Sequence, residues 1–387
     1  MRSAEVVVIG AGVVGASVAY HLARMGCGPV LVLEREAAPG RGSTGRATGG
    51  FRAQFGSETN VRLSQLSREK LLGFKEELGV DPGYRPCGYL CLAEDEAQLG
   101  ALRETQSVQR AAGLDEATEV GLSEIEGINP AIRADGLVGG VFCPTDGFLR
   151  PMEILRGYVA GAERLGVRFE YGTECTGFEL DGAGRISTVH ATSGDVAAGS
   201  VVNAAGAWAG VVAREAGLDL PVEPLRRQVA ITHPFAALPE DMPMTIFVRD
   251  GFHLRVRDGR VLLLLPDEPD VADPFDQSVE EAWVGAVVET ARERVPCLEG
   301  ASVDREGCWA GLYEMSPDSH ALLGRAQEVE NLYLANGSSG HGVMHSPALG
   351  QLLAEIMSGG SALAIDVHAL RSSRFAENEP NLAPTLL

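Results

Sequence analysis

The stretch VVVIGAGVVGASVAYHLARMGCGPVLVLE, residues 6–34, determines the fold at the amino terminus. A short β-branched run, VVVI, stops at the glycine-rich segment from Gly10 to Gly15. Small and apolar side chains then recur at helical spacing, and a second apolar run ends in Glu34. This pattern predicts a strand, a helix and a second strand, which belong to a parallel sheet covered on both faces.

The glycines GAGVVG between the first strand and the helix form the pattern of a dinucleotide site. Gly10 allows a tight turn, Gly12 lets a pyrophosphate approach the main chain, and Gly15 lets the helix pack on the strand. The free N–H groups at the start of the helix attract the anion. Glu34 lies at the spacing of about 20 residues where such sites bind the ribose hydroxyls, and it would repel a 2′-phosphate. The motif alone leaves NAD and FAD open.

Composition indicates a globular protein of about two domains, each of roughly 100 to 200 residues. Of the 387 residues, 45% are hydrophobic and 22% are charged, a profile without the marks of disorder. The formal charge of −21 disfavours nucleic acid and acidic membranes as partners. No run of about 18 apolar residues suits a membrane span, and the first residues lack the pattern of a signal peptide.

The seven cysteines are an odd, scattered set without CxxC spacing. Neither a disulfide framework nor a metal site is therefore expected, and a reducing cytoplasm fits the chain best.

Further patterns along the chain predict local structure. Residues 40–56 contain six glycines among Ser, Thr and Arg, which indicates a loop rather than a core element. Residues 60–78 predict one amphipathic helix, and residues 347–357 predict a closing helix. Residues 378–387 predict a frayed end.

Three segments favour FAD over NAD as the dinucleotide. GSTGRATGG (42–50) has the composition of a loop around a second part of the cofactor, and VVNAAGAW (201–208) predicts a strand and turn under its adenosine half. NGSSGHG (336–342) precedes a helix whose positive end would face an anionic flavin ring. An NAD dehydrogenase has no obvious need for all three.

With these motifs in place, the chain resembles the D-amino-acid oxidase superfamily of FAD enzymes, and within it the group of sarcosine oxidase, glycine oxidase and the proline dehydrogenase β-subunit. The resemblance extends from GAGVVG through GSTGRATGGFR, VVNAAGAW and PLRRQV to SSGHGVMHSPALG, so it covers nearly the whole chain. It implies that the flavin ring lies at the junction of two domains.

The predicted fold class is α/β, with a Rossmann-type FAD-binding domain interleaved with an α+β substrate domain of mixed sheet. The boundaries assign residues 1–80, 146–222 and 317–372 to the FAD-binding domain, residues 81–145 and 223–316 to the substrate domain, and residues 373–387 to a tail.

The resemblance also implies which residues contact FAD. They are mostly main-chain and small side-chain positions of the quoted motifs: Gly10, Gly12, Val13, Val14, Gly15, Glu34, Arg35, Gly42, Ser43, Thr44, Ala47, Thr48, Cys175, Ala205, Gly206, Trp208, Gly311, Gly337, Ser339, Gly340, His341, Gly342 and Val343. The main chain around Cys175 would face adenine. Gly311 stands where covalent-flavin relatives place a Cys, and Cys308 lies three residues too early, so FAD is expected to be non-covalent.

Four residues are predicted to act on the substrate. Arg52, in FRAQF, matches the family's arginine for a substrate carboxylate, a task that suits the bidentate guanidinium group. Met344 stands where the family has a second carboxylate-binding residue, a Lys. His253, in DGFHLRV, matches a position where relatives often place a Tyr, and His341 is the other candidate histidine. The alternatives are a surface or phosphate-facing Arg52 and structural histidines.

Weaker candidates for the pocket wall are His345 and Tyr313. The lysine that relatives use to activate oxygen falls within residues 261–265, which are entirely apolar. This difference points to slow oxygen use, and both O2 and an unknown carrier stay open as electron acceptors.

The implied reaction is FAD-dependent oxidation of the C–N bond of a small amine or amino acid. Hydride passes to flavin N5, and the resulting imine is hydrolysed. A secondary amino acid such as sarcosine or proline is favoured as substrate. The alternative is an FAD-binding subunit or assembly factor without amine turnover of its own, and either a homo- or a hetero-oligomer is compatible with the sequence.

Overall fold

The computed structural model describes residues 2–268 and 272–381. In this part of the chain the strands are β1 (Arg2–Ile9), β2 (Val30–Glu34), β3 (Gly50–Phe51), β4 (Tyr89–Ala93), β5 (Thr118–Val120), β6 (Gly139–Cys143), β7 (Gly147–Phe148), β8 (Arg168–Tyr171), β9 (Cys175–Leu180), β10 (Ile186–Ala191), β11 (Val196–Asn203), β12 (Glu223–Ile231), β13 (Met244–Phe247), β14 (His253–Arg257), β15 (Arg260–Leu264), β16 (Trp309–Met315), β17 (Leu322–Arg325) and β18 (Leu332–Asn336). The helices are α1 (Val13–Arg24), α2 (Ser43–Arg46), α3 (Glu58–Leu72), α4 (Phe74–Leu78), α5 (Glu96–Ala111), α6 (Leu122–Ile128), α7 (Pro151–Arg164), α8 (Ala209–Glu215), α9 (Glu281–Arg294) and α10 (Gly342–Gly359).

The first sheet is the one predicted from the amino-terminal motif. Its strand order is β17-β18-β11-β1-β2-β8, with the β9–β10 hairpin attached to β11. β1 pairs in parallel with both β2 and β11. Val7 and Val8 at its centre have no exposed surface, and α1 packs against α7 and α10 on one face. The predicted α/β fold class is confirmed.

The second sheet is mixed, as predicted. Its order is β16-β12-β15-β14-β13-β4-β6-β5, in which β4 and β13 are parallel and the other pairs are antiparallel. α9 packs against β12 and β15. The chain thus alternates between the two sheets, in the order that the interleaved domains require, while the domain boundaries themselves stay a prediction.

The prediction of a loop without core residues over 40–56 was wrong. The segment contains α2 and the short strand β3, which pairs with β7. Phe51, Ala53 and Phe55 are buried. These residues alternate with polar ones, the period of a strand, and the abundance of glycine before them masked that signal.

The single helix predicted over 60–78 is two helices. α3 begins after Ser57, whose hydroxyl accepts the Asn60 N–H, and it ends before Gly73. Gly73 separates α3 from α4. Glycine inside a helix costs about 1 kcal/mol relative to Ala, which makes this position the weakest point of the run.

The closing helix begins at Gly342 rather than at residue 347. Pro347 lies inside α10 and has no N–H for the carbonyl of Val343. The Ser346 hydroxyl donates to that carbonyl instead, at 2.9 Å. A neighbouring side chain therefore compensates for the missing main-chain bond, which the pattern at Pro347 did not reveal.

The predicted tail, residues 373–387, is partly integrated into the fold. Arg374 has no exposed surface, and its guanidinium makes two 2.8 Å bonds to Asp318. Asn381 also donates to Asp318, from its N–H and from Nδ2. The frayed end predicted from residue 378 is therefore wrong as far as residue 381, and residues 382–387 lie outside the described part of the chain.

Within residues 2–268 and 272–381, no helix is both long and apolar enough to cross a membrane.

Candidate functional site

A cavity of about 900 Å³ lies between the two sheets. Its walls are formed by the ends of β1 and β2, the segment 40–52, the turn after β11, parts of β12 and β16, and the start of α10. Its volume is at the upper end of the range of roughly 300 to 1,000 Å³ for small-molecule and cofactor sites.

The cavity wall contains every predicted site residue except Gly15, Gly337 and the weaker candidate His345. These two glycines have packing roles. A Cβ at Gly15 would lie 2.0 Å from the Gly10 carbonyl oxygen, so Gly15 lets α1 approach the turn after β1. Gly337 has a φ of +67°, and a Cβ there would lie 2.5 Å from Leu322.

One end of the cavity, here called the nucleotide end, is formed by Gly10, Gly12, Glu34 and Thr44. Gly10 has a φ of +105°, and a Cβ there would lie 2.4 Å from the Ala204 carbonyl oxygen. A Cβ at Gly12 would have no neighbouring atom closer than 3.5 Å, so the main chain faces open space. The Val13 N–H donates to Thr44 Oγ1 at 3.1 Å, and the N-cap residue Gly12 has no side chain that could cap the following N–H groups of α1. The helix therefore presents N–H groups to an anion.

Glu34 is held by the main chain in a position to bind hydroxyl groups. Its Oε2 accepts the Ala11 N–H at 2.7 Å, and its Oε1 accepts the Glu36 N–H at 2.9 Å. A carboxylate has about four lone-pair sites, so each oxygen retains one for a further donor. This geometry fits the ribose of a dinucleotide.

A cationic and an aromatic side chain also line the cavity beside Glu34. The Arg35 guanidinium lies 3.7 Å from the centre of the Trp208 ring. Trp208 stacks on Phe275 with ring centres 5.3 Å apart and an interplanar angle of 10°. Phe275 follows the second sheet's strand β15 in the chain, so segments of both sheets meet here.

At the other end, the loop 337–341 leads into α10. Ser339 has a φ of +47° and Gly340 one of +89°, and a Cβ at Gly340 would lie 2.5 Å from the Tyr313 ring. The Ser339 N–H donates to the Glu314 carbonyl at 3.0 Å, which ties the loop to β16. His341 precedes α10 without a side-chain cap, and the first turn has no acidic residue. A second helix N-terminus thus opens onto the same cavity.

Arg52 lies in the cavity wall beside α10. Arg52 and His341 together define what we call the substrate end. The Arg52 Nη2 atom lies 3.2 Å from His341 Nε2, and the Arg52 Cζ atom lies 4.4 Å from the centre of the Phe55 ring. Arginine can only donate, so His341 Nε2 accepts and the ring proton is on Nδ1. Burial lowers the pKa of His341 well below its usual value, and the nearby Arg52 lowers it further. His341 is therefore neutral.

The main chain of Arg52 is fixed by side chains from α3 and α10. Its N–H donates to Met344 Sδ at 3.3 Å, and its carbonyl accepts the Ser64 hydroxyl at 2.8 Å. His345 Nε2 lies 2.9 Å from Ser64 Oγ. Because the Ser64 proton is used on Arg52, His345 must be the donor to Ser64. His345 itself is outside the cavity wall and supports Arg52 from behind.

The residues after Arg52 are held by a buried carboxylate. Asp146 accepts the Ala53 N–H at 2.7 Å and Gln54 Nε2 at 3.0 Å. It has no exposed surface. Burial raises the pKa of Asp146 to about 6, although these hydrogen bonds and the charge of Arg52 act in the opposite direction.

His253 lies in the wall contributed by the second sheet. Its Nδ1 lies 2.7 Å from the Gly251 carbonyl, so Nδ1 carries a proton and Nε2 has a free lone pair. Burial, together with the charges of Arg52 and Arg227, lowers the pKa of His253 to about 4, although the hydrogen bond to Gly251 acts in the opposite direction. Like His341, it is neutral near pH 7.

Sequence reasoning missed several residues of the site. Tyr89, Arg227 and Glu314 line the cavity, and Ser64 and Asp146 support Arg52. A signal was available only for Arg227, which lies within the motif PLRRQV at residues 224–229. The others are single polar residues in ordinary helical, strand or turn contexts, where the pattern gives no sign of their neighbours.

Residues 5–356 match the family described as DAO, FAD dependent oxidoreductase. The chain belongs to this family. FAD is therefore its cofactor. The two helix N-termini without a cap from their own N-cap residue, the open main chain at Gly12 and the held carboxylate of Glu34 fit that molecule.

Curated relatives agree with this assignment. The chain is 31% identical to FAD-dependent oxidoreductase domain-containing protein 1 of Xenopus laevis, over 98% of this chain and 84% of that protein. It is 30% identical to the mitochondrial dimethylglycine dehydrogenase of Rattus norvegicus, over 91% of this chain but only 42% of the longer relative.

Solved structures of the family share the whole fold. The L-proline dehydrogenase of P. horikoshii aligns with a TM-score of 0.91 and 29% identity, over 98% of this chain and 100% of the other. The glycine oxidase of Geobacillus kaustophilus aligns with a TM-score of 0.85 and 25% identity, over 97% and 99% of the two chains. The predicted family and cofactor are confirmed, while the roles of individual site residues stay predictions.

Proposed function

We propose that this protein oxidises the C–N bond of a small amino acid, and that a secondary amino acid such as sarcosine or proline is its substrate. The observation that carries the proposal is the position of Arg52 in the cavity wall, beside His341 and Met344 at the start of α10. A guanidinium binds a carboxylate through two parallel N–H donors, which fixes both its position and its orientation.

The names of related proteins support this substrate class. Dimethylglycine dehydrogenase, sarcosine dehydrogenase and L-proline dehydrogenase are among the similar proteins. Each is named for an amino acid with a substituted nitrogen. We carry that shared chemistry, rather than any one of the three substrates, over to this chain.

The chemistry that FAD would supply when bound is acceptance of a hydride from the carbon next to nitrogen, which would leave an imine for hydrolysis by water. The nucleotide end and the start of α10 would hold the cofactor. We propose that the attachment is non-covalent, because Gly311 replaces the linking Cys and Cys308 lies outside the cavity wall, where its thiol donates to the Asp304 carbonyl. Cys175 is the cysteine in the wall, at the predicted adenine position.

The protein's own groups position the substrate. Arg52 would bind the carboxylate, with His341 accepting one guanidinium N–H and thereby orienting it. His253 Nε2 can accept a hydrogen bond from the amine. A pKa of about 4 makes His253 too weak a base to hold a proton near neutral pH, so it would orient the nitrogen rather than deprotonate it.

The electron acceptor, the cell compartment and the assembly state are proposals of the same kind. Val261, Leu262 and Leu263 are buried and apolar, which supports slow use of O2 and an electron carrier in its place. The unpaired cysteines support a cytoplasmic location, although the dimethylglycine dehydrogenase named above is mitochondrial. A homo- or hetero-oligomer is compatible with the fold.

The test is an anaerobic visible spectrum of the FAD-loaded protein, recorded before and after addition of sarcosine, L-proline, dimethylglycine, glycine and D-alanine in turn. We expect loss of the flavin band at roughly 450 nm with at least one secondary amino acid. A protein that binds FAD but is bleached by none of them would overturn the proposal in favour of an FAD-binding subunit or assembly factor.

Arg52→Ala tests the carboxylate contact. Loss of a charged hydrogen bond of roughly 1.5 to 3 kcal/mol should raise the KM for the amino acid at least tenfold. Arg62→Ala, which removes an exposed arginine of α3 outside the cavity, should leave KM unchanged. Equal KM values for the Arg52 variant and the wild type would remove Arg52 from the substrate site.

A further inference from the structure

Glu314 is a charged side chain of the cavity wall that the proposed reaction does not use. It lies on β16, and its Oε1 accepts the Ser338 N–H at 3.3 Å. A Cβ at Gly342, the first residue of α10, would lie 3.7 Å from the same oxygen. The carboxyl group is therefore next to the helix N-terminus and to the segment 337–342 that is predicted to contact the isoalloxazine.

The other oxygen of this carboxyl group has no partner. Glu314 Oε2 is buried and, among the described residues, receives no hydrogen bond. The Ser338 hydroxyl lies near enough to lower the pKa of the carboxyl group but does not reach hydrogen-bonding geometry. Buried polar atoms in native structures nearly always have partners. An orphaned oxygen in a cavity wall therefore indicates that it meets the bound molecule or its ordered water.

Burial raises the pKa of Glu314 to about 7. The N–H groups of Ser338 and Gly337 favour the ionised form, but they do not cancel the penalty for burying a charge. The carboxyl group is thus close to half-ionised at neutral pH, so a small change of charge nearby is enough to shift its protonation.

The elements around Glu314 carry several other titratable groups: Glu223, Arg226 and Arg227 on β12, Arg46 on α2, Tyr313 on β16, Asp318 and His320 after β16, and His341 before α10. In the described chain none of them contributes to the pKa of Glu314. The carboxyl group therefore has no cationic partner that would hold it ionised when a negative charge arrives.

Reduction of the cofactor delivers such a charge. The isoalloxazine gains two electrons and one proton as a hydride, and so becomes more negative by one unit. Two negative charges close together in a buried site are unfavourable, and a proton binds to relieve them.

We propose that Glu314, where it is ionised, takes up a proton from solvent when the cofactor is reduced, and releases it on reoxidation. The balance is two electrons and one proton to the cofactor, plus one proton to the carboxylate. The inference depends on FAD being bound with its ring at residues 337–342, and it does not depend on which amine is the substrate.

The test is an equilibrium redox titration of the FAD-loaded protein with dithionite and redox dyes, at several pH values from two units below to two units above the pKa of about 7. The slope of midpoint potential against pH gives the protons taken up per two electrons. We expect one proton per two electrons well below the pKa, where Glu314 is already protonated, and two protons between this pKa and the higher pKa that Glu314 has beside the reduced cofactor. Above that second pKa the number returns to one, because the carboxylate is ionised in both redox states. Ionisation of the reduced flavin itself would give the opposite order, with more protons at low pH.

The Glu314→Gln variant should take up one proton per two electrons at every pH of the titration. Glu355→Gln is the matched control, since Glu355 is a buried glutamate at the far end of α10 that accepts the Leu363 N–H outside the cavity. This variant should keep the wild-type change from one proton to two, which appears as a break in the plot of midpoint potential against pH. A break that persists in Glu314→Gln would overturn the proposal.

If the Glu314→Gln variant does not retain FAD, a second experiment on the wild-type protein alone tests the proposal. Photoreduction by an added electron donor in weakly buffered solution, about one unit above the pKa, is followed with a pH indicator. After subtraction of the protons that oxidation of the donor releases, measured with free FAD as reference, nearly two protons should be consumed per flavin. One proton would overturn the proposal. No amine is used in either experiment, so a negative result here is distinct from a failure of the proposed amino-acid oxidation.

Discussion

The two ends of the cavity are formed by different parts of the protein, main-chain groups at one end and side chains at the other. The nucleotide end consists largely of main chain, where Gly10 and Gly12 leave space and α1 supplies N–H groups. The substrate end consists of side chains from separate elements, with Arg52 and His341 in contact and Asp146 buried behind them. The nucleotide end should therefore be sensitive to added volume, and the substrate end to changes in charge and hydrogen bonding.

The largest effect should come from adding one carbon atom at the nucleotide end. In Gly10→Ala the Cβ would lie 2.4 Å from the Ala204 carbonyl oxygen, at a φ of +105°. Overpacking and backbone strain together should destabilise the protein by roughly 3 to 5 kcal/mol. Urea unfolding and FAD content measure the outcome.

Gly26→Ala is the control for this substitution. Gly26 has a φ of +78°, but apart from its chain neighbours no atom of the described residues lies within 4 Å of the added Cβ. It should therefore lose only about 1 kcal/mol, the cost of the strained backbone alone. Equal losses of stability in Gly10→Ala and Gly26→Ala would contradict the conclusion that the nucleotide end is sensitive to added volume.

At the substrate end, Asp146→Asn should change the pH dependence of stability. The pKa of Asp146 is raised in the folded state from 3.8 to about 6, so its contribution to stability is present below pH 3.8 and is lost as the pH rises through 6. The wild type should lose roughly 2 kcal/mol from this group between about pH 4.5 and 7.5, and the variant should not. Unfolding of both proteins at the two pH values measures the difference. Parallel pH profiles would show that Asp146 is not a buried charge of this kind.

A smaller effect is expected for Ser64→Ala. The Arg52 carbonyl and the His345 Nε2–H would both lose their partner, at a cost of about 1 to 2 kcal/mol in the free energy of unfolding. The KM for the amino acid should rise while kcat stays within twofold, because Arg52 is displaced and the cofactor is not. Ser67→Ala, on the same helix, removes a hydroxyl that accepts the Ala348 N–H of α10, and it is the control for KM. A loss confined to kcat would contradict a positioning role.

How far the sequence predicted the site depends on the distance between partners along the chain. The nucleotide motif lies within residues 6–34, and Glu34 is 23 positions from the N–H that it accepts. Arg52 could be assigned to the substrate end only by resemblance, since His341 is 289 positions away. Glu314 and Asp146 gave no signal of their own, because a carboxylate in the sequence does not reveal whether it is buried.

The sequence by itself determined the parallel sheet, the dinucleotide site and the family, because each depends on local periodicity or on short spacing between residues. Only the tertiary structure decided the surroundings of the reactive groups. It showed that His341 and His253 are neutral, that Asp146 is satisfied and that one oxygen of Glu314 is not. Burial and hydrogen bonding set these properties, and both arise only when segments far apart in the chain are brought together.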